Sequence, residues 1–201
     1  MNCIKVLKDE DFNLKSIEFN SPRVRYGARG IVIREDGKIA IFNKTNKNEY
    51  KLPGGGIDKD ENKALAFKRE VLEETGCEVE IIYELGTIEE HKTLDNFKQI
   101  SYLFVGKVTK DNNKLNLTKK EKDEGARVLW VDEAEGLELI TNCINNLSES
   151  KYENLYHSKF IVLRDKYILE YYLKIKNNIK GFWLKSFYYI WNCIFIKSML
   201  T

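Results

Sequence analysis

The segment Lys51-Leu52-Pro53-Gly54-Gly55-Gly56, together with the twenty residues after it, constrains this chain more than any other stretch. Pro53 removes a backbone donor, and three consecutive glycines suit neither a helix nor a central strand, so the segment reads as a loop. The pattern then changes to that of a helix over residues 62–75, with Asp60 or Asn62 able to cap its start and Gly76 placed to end it. At 100° per residue, Ala64, Leu65, Phe67, Val71 and Leu72 fall in one arc, and Glu70, Glu73 and Glu74 fall opposite. Like-charged i,i+4 neighbours cost roughly 0.2–0.5 kcal/mol per pair, which a solvated helix face can carry. The glycine loop in front makes this face different, because it lets backbone groups approach a phosphate or a metal closely. The carboxylates beside it are hard oxygen donors suited to Mg²⁺ or Mn²⁺.

Around this unit, the chain offers material for a sheet and more helices. Residues 24–34 and 38–43 are apolar runs joined by Glu35-Asp36-Gly37, a hairpin signal. Residues 78–83, 100–108 and 127–131 read as further strands, 132–146 as a helix capped by Asp132, and 157–176 as a long amphipathic helix. The first 22 residues alternate poorly and read as an approach segment. Mixed strands with two or three helices give an α+β fold or a three-layer α/β/α sandwich. We expect a domain over 1–150 and an appendage over 151–201, parted at the polar Leu147-Ser148-Glu149-Ser150. From Tyr171 on there are five lysines and no acid. Phe182, Trp183, Phe187, Tyr188, Tyr189, Trp191 and Phe195 crowd the same tail. It is expected to pack on the domain, with a homodimer contact as the alternative; membrane contact is not expected.

Composition removes several function classes. Hydrophobic residues at 43% can build a core, and a net charge of +2 gives no electrostatic reason to expect nucleic acid as partner. Two histidines, His91 and His157, cannot build a histidine metal site, so any metal is held by oxygen. Cys3, Cys77, Cys143 and Cys193 show no paired spacing, which fits reduced thiols and a cytoplasmic location. The N-terminus shows no signal-peptide pattern. The longest uncharged candidate span, residues 186–196, is too short for a bilayer. An EF-hand loop starting at Asp58 would need glycine at Lys63 and glutamate at Arg69. Gly54-Gly55-Gly56 also lacks the endings of a P-loop and of a dinucleotide-binding turn.

Gly55, five residues, Glu61, seven residues, Arg69-Glu70-Val71, one residue, Glu73-Glu74, one residue and Gly76 resemble the Nudix box, and the chain looks like a member of the Nudix (MutT-like) hydrolase superfamily. A match of that length would arise by chance in roughly one such chain in a million at ordinary residue frequencies. Cys77 departs from the family's usual bulky aliphatic residue, which touches packing and not chemistry. The strict box covers 23 residues, and the flanking pattern extends the likeness from about Val24 to about Asn146. The resemblance implies a mixed β-sheet between helices. It implies that Glu70, Glu73 and Glu74, with the Gly55 carbonyl, bind Mg²⁺ or Mn²⁺. Glu61 and Arg69 would form a pair that orients the helix. The implied reaction is hydrolysis of a nucleoside diphosphate linked to another group, by water attack at phosphorus.

Many members supply a further glutamate from outside the box as base or extra ligand. Glu124, ahead of Glu121, sits where such a residue would fall, although Lys119 to Glu124 also reads as a solvated charged loop. Glu89 and Glu90 beside His91 are weaker candidates for that role. The partner is then a nucleotide small molecule: a triphosphate, ADP-ribose, a dinucleoside polyphosphate or a sugar nucleotide. Tyr50, Lys44 and Arg29 are candidate pocket residues. A nucleotide sensor without turnover is the alternative function, and an isomerase on the same scaffold a more distant one.

Overall fold

A computed structural model describes residues 2–149 and 154–198, with side chains described as far as residue 178. Strands β1 (Cys3–Lys8), β2 (Arg23–Ile33), β3 (Ile39–Lys44), β4 (Glu49–Lys51) and β5 (Gly54–Gly56) precede helix α1 (Lys63–Thr75). Long strands β6 (Cys77–Lys92) and β7 (Phe97–Asp111) follow, then short helix α2 (Lys119–Asp123) and strand β8 (Ala126–Val131). Helices α3 (Glu133–Asn145) and α4 (Leu155–Ser198) close the chain. The strands form one mixed sheet in the order β1-β6-β7-β2-β3-β4, with β5 paired to β2 and β8 to β3. The β1–β6 and β2–β7 pairs are parallel and the others antiparallel.

The pleat of β2 explains the layering, because successive side chains point to opposite faces. Ala28 and Val32 pack with Ala66, Phe67 and Val71 of α1, and with Phe104 of β7. Ile31 lies in a second core with Ile39, Ile41, Leu103 and Val105. The helices cover it with Ile140 and Cys143 of α3 and Phe160, Val162, Ile168 and Leu169 of α4. The α/β/α sandwich expected from the sequence is therefore the fold, and α4 shares the α3 layer.

The helix of the loop–helix unit forms largely as read, but the glycines before it form a strand and not a loop. Asn62 caps α1 by accepting the Ala64 N–H at 2.8 Å, and left-handed Gly76 donates its N–H to the Leu72 carbonyl at 2.9 Å. Asp60 is not the cap. Leu65 and Leu72, placed in the apolar arc by angle alone, are exposed at 61% and 39%, so the buried stripe is narrower than the sequence suggests. Glu35-Asp36-Gly37 does turn the β2–β3 hairpin, closed by the Arg34 N–H on the Lys38 carbonyl at 2.9 Å.

Four readings are corrected. The triglycine segment read as a loop is strand β5, which can pair with β2 because glycine leaves room for that close approach. The approach segment contains β1, which pairs in parallel with β6 at the edge of the sheet and buries Leu7 completely. The strand read over residues 78–83 runs from Cys77 to Lys92, because bulges let one ladder with β7 continue through Gly86. Helix α4 is also longer than the 157–176 reading. It extends through the backbone of the aromatic and basic tail. The side chains from Phe182 to Phe195, and with them the question of domain packing or dimer contact, lie outside the described residues. Among the described residues, no helix is long and apolar enough to cross a membrane.

Candidate active site

The glycine triplet is strand β5, lying antiparallel on β2 with Ala28 opposite Gly55. The backbone there has no room for side chains. A Cβ on Gly55 would sit 2.4 Å from a Glu70 carboxylate oxygen. Gly54, at φ 135°, would clash with Arg29 and the Ala28 carbonyl. The glycines thus bring the acidic face of α1 directly against the edge of β5.

Arg69 organises that face. Its Nε and Nη2 donate to the two oxygens of Glu61 at 2.9 Å each, and Nη2 also reaches the Gly56 carbonyl at 2.9 Å. Nη1 donates to Glu70 at 2.9 Å and to Glu73 at 3.3 Å. The bidentate contact holds the Glu61 carboxyl below its ordinary pKa, and the same contacts raise that of Arg69. Glu74 points elsewhere. It is buried, accepting from Lys51 Nζ at 2.8 Å and the Gly54 N–H at 2.7 Å. Burial pushes the pKa values of both Glu70 and Glu74 up, against the opposing pull of Arg69 and Lys51 respectively.

The three box glutamates therefore share one helix face but do not converge on a point. Arg69 holds two of them and Lys51 the third. Among the described residues, no three acidic, histidine or cysteine side chains already form a metal-holding group. The charge balance nevertheless suits a divalent cation. Glu61, Glu70, Glu73 and Glu74 face Arg69 and Lys51, which leaves two negative charges uncompensated. The donors are hard oxygens, as Mg²⁺ and Mn²⁺ require.

On the α4 side of the sheet a cavity of about 570 Å³ opens beside Gly54 and Gly55. Arg29, Lys44 and Lys51 line it, as does Arg164 from α4. Lys44 and Arg29, both read as pocket candidates, are thus at the cavity wall; Tyr50 instead packs against the core shared by α3 and α4. Glu124 lies behind that wall. It is fully buried, 2.6 Å from Lys44 Nζ and 3.9 Å from Lys47 Nζ, and neither of its oxygens takes a well-directed hydrogen bond. Its contacts are with lysines and not with the box carboxylates. Glu121 caps α2 by accepting the Thr118 N–H. Glu90 is buried between Lys92 and Arg164, and Glu89 pairs with His91 and Lys98.

The sequence reading missed Lys51, the partner of Glu74, and everything contributed by α4. Asp165 accepts the Leu52 N–H at 2.9 Å, directly before the glycines, and Arg164 bridges Asp165 and Glu90. Nothing local in the sequence marks these contacts: the Leu52–Asp165 bond spans more than a hundred residues.

Residues 24–148 match the family described as NUDIX domain. A Streptomyces ambofaciens "MutT-like protein" is 40% identical over 52 residues, 26% of this chain and 34% of that protein. A Bacillus subtilis protein, provisionally named an 8-oxo-dGTP diphosphatase, is 32% identical over 83 residues, 41% of this chain and 53% of that protein. The matched stretches thus span between about a third and about half of these relatives. Among solved structures, a NUDIX hydrolase from Nitrosomonas europaea superposes with a TM-score of 0.49 at 18% identity, covering 69% of this chain and 92% of that one.

Proposed function

The chain belongs to the NUDIX family, and from that premise we propose that it hydrolyses the pyrophosphate of a nucleoside diphosphate linked to another group, with a divalent metal ion. The observation that carries this reading is the acidic excess on α1, set against a glycine strand whose other side opens onto a basic cavity. Glu70, Glu73 and Glu74, with the Gly55 carbonyl, would hold Mg²⁺ or Mn²⁺. Such an ion polarises phosphoryl oxygens and makes an attacking water more acidic. Arg69 keeps Glu70 and Glu73 on one face and, through Glu61 and the Gly56 carbonyl, ties the helix to the loop. Arg29 stands at the cavity wall, where it can neutralise phosphate oxygens as charge builds up, and Lys51 beside it holds Glu74.

Glu124 is the sequence's candidate base. Its contacts favour a positioning role in which it holds the Lys44 ammonium at the cavity wall. A role as base requires Lys44 to leave it first. In this scheme catalysis rests on positioning and charge neutralisation, with no covalent intermediate. Phosphate or mononucleotide release from a nucleotide panel with Mg²⁺ tests the proposal. The folded parent should turn over at least one member, and Glu73→Gln should lower kcat by about a hundredfold or more. A folded parent inert to the whole panel, or an equally active variant, would falsify the reading.

A further inference from the structure

Most cations around the cavity are already neutralised. Lys44 lies 2.6 Å from Glu124, Lys47 2.9 Å from Glu49, Lys51 2.8 Å from Glu74, and Lys92 and Arg164 each 3.0 Å from Glu90. Three arginines of β2 are the exception. Among the described residues, Arg23, Arg25 and Arg29 have no carboxylate within 4.0 Å, although all three line the cavity. They occupy alternate positions of one strand, so the pleat sends them to the same face as a ladder. The missing rung is Gly27, where a Cβ would meet the Gly55 carbonyl oxygen and the Gln99 amide at 2.8 Å each.

Arg29 is buried, and its Nε donates only to Ser101 Oγ at 3.2 Å. Burial and neighbouring Arg164 lower its pKa to about 10, so it remains charged at neutral pH. Asp165, Glu90 and Glu74 attract it from a distance, but with no carboxylate in direct contact a buried guanidinium keeps a desolvation cost that a bound anion would offset. It stands beside Gly54, at the end of the ladder that meets the glycine strand. Arg23 is at the other end, six residues away along β2, which at the usual strand rise is roughly 20 Å. A diphosphate alone is shorter than this backbone separation. At the far end the ring of Phe97 lies beneath Arg23, 4.5 Å from its guanidinium, with Lys92 at 5.6 Å. That aromatic surface already stacks on cations and offers no open plate to a nucleobase. The far end is built to read charge.

We propose that the cavity holds a second anion site at Arg23, with Arg25 beside Gly56 bridging it to the glycine strand, and that the substrate is a diphosphate whose far moiety carries its own phosphate group. Guanidinium groups suit this recognition because their donor fork matches phosphate oxygens in pairs. The inference rests on the proposal above that the scissile diphosphate lies at the glycine strand and Arg29.

ADP-ribose and its 2′-phosphate, which differ by one phosphate group, test it with the full-length protein. Binding is measured by calorimetry and turnover separately with Mg²⁺. The 2′-phosphate should bind at least about tenfold more tightly, since a charge-assisted contact of this kind is worth about a factor of ten or more. Arg23 is exposed, so Arg23→Gln should fold; it should remove most of the preference, and Arg23→Lys should keep part of it. Equal affinity for the two compounds, or a preference that Arg23→Gln leaves intact, would overturn the second anion site. Hydrolysis of both without preference would do so while leaving the hydrolase reading intact. Preference in binding with no turnover of either compound would support the site and leave the hydrolase reading to be decided by the nucleotide panel.

Discussion

Glu90 shows how one side chain can tie the pH dependence of stability to the site. It is fully buried at the end of β6, with Lys92 and Arg164 each 3.0 Å away. Burial alone would raise its pKa, but Arg164, Lys92 and Arg29 outweigh that and hold it at about 2, below the ordinary 4.5. A carboxyl with a depressed folded value contributes stability that is fully present above about pH 4.5 and is lost as pH falls toward 2. The contribution is on the order of 3 kcal/mol. Glu90→Gln leaves Lys92 buried without its anion and Arg164 with Asp165 alone, and an uncompensated buried charge typically costs about 3–5 kcal/mol. Urea unfolding from pH 7 down to pH 3 should show the variant less stable at neutral pH and flatter through the acid limb. A variant curve parallel to the parent's would mean that other carboxyls set the acid limb.

At the scale of elements, local signals are legible in the sequence and long-range ones are not. Helix α1 is legible because its cap, its left-handed end and its acidic face are all encoded within sixteen residues, and the β2–β3 turn within three. Strand β6 reads short because its ladder with β7 shifts register near Glu78, Ile81 and Glu84, so period-two alternation fails although pairing continues. Strand β1 escapes notice for a related reason. It is an edge strand in which only Leu7 is fully buried, and it offers little pattern to read. The glycine–helix contact is one whose cost can be foreseen. Gly55→Ala places a methyl 2.4 Å from the Glu70 carboxylate, and the flexible glutamate side chain, not the backbone, is the part able to yield. We therefore expect a thermal midpoint within a few degrees of the parent's and kcat/KM reduced by about a hundredfold, the effect of a displacement of roughly 1 Å at a reacting centre. A fully active Gly55→Ala protein would show that Glu70 need not touch this strand.

For the whole molecule, the family match ends at residue 148, while the site does not. Helix α4 completes the core beneath the sheet and then enters the cavity with Ile161 and Arg164. Its one direct hold on the loop before the glycines, among the described residues, is Asp165, which accepts the Leu52 N–H at 2.9 Å with one oxygen and the Arg164 Nε at 2.7 Å with the other. Both residues are buried, so the hydrogen bonds are made away from water, where leaving one unmade is costly. Leu52 precedes Pro53, which has no N–H to offer, so the next residue along the chain cannot supply a replacement donor. Asp165→Ala should therefore lower stability by about 1–3 kcal/mol. In protein still fully folded at low temperature, it should also lower kcat/KM about tenfold or more, because the turn that leads into glycine strand β5 has lost its anchor. Asp165→Asn keeps an acceptor for the Leu52 N–H and should restore much of the activity without restoring all of the stability, since the Arg164 charge contact stays weakened. A merely structural role predicts the opposite pattern: activity per folded molecule unchanged in both variants, with only the unfolding midpoint moving. Steady-state kinetics alongside urea unfolding of the same two proteins separates these outcomes.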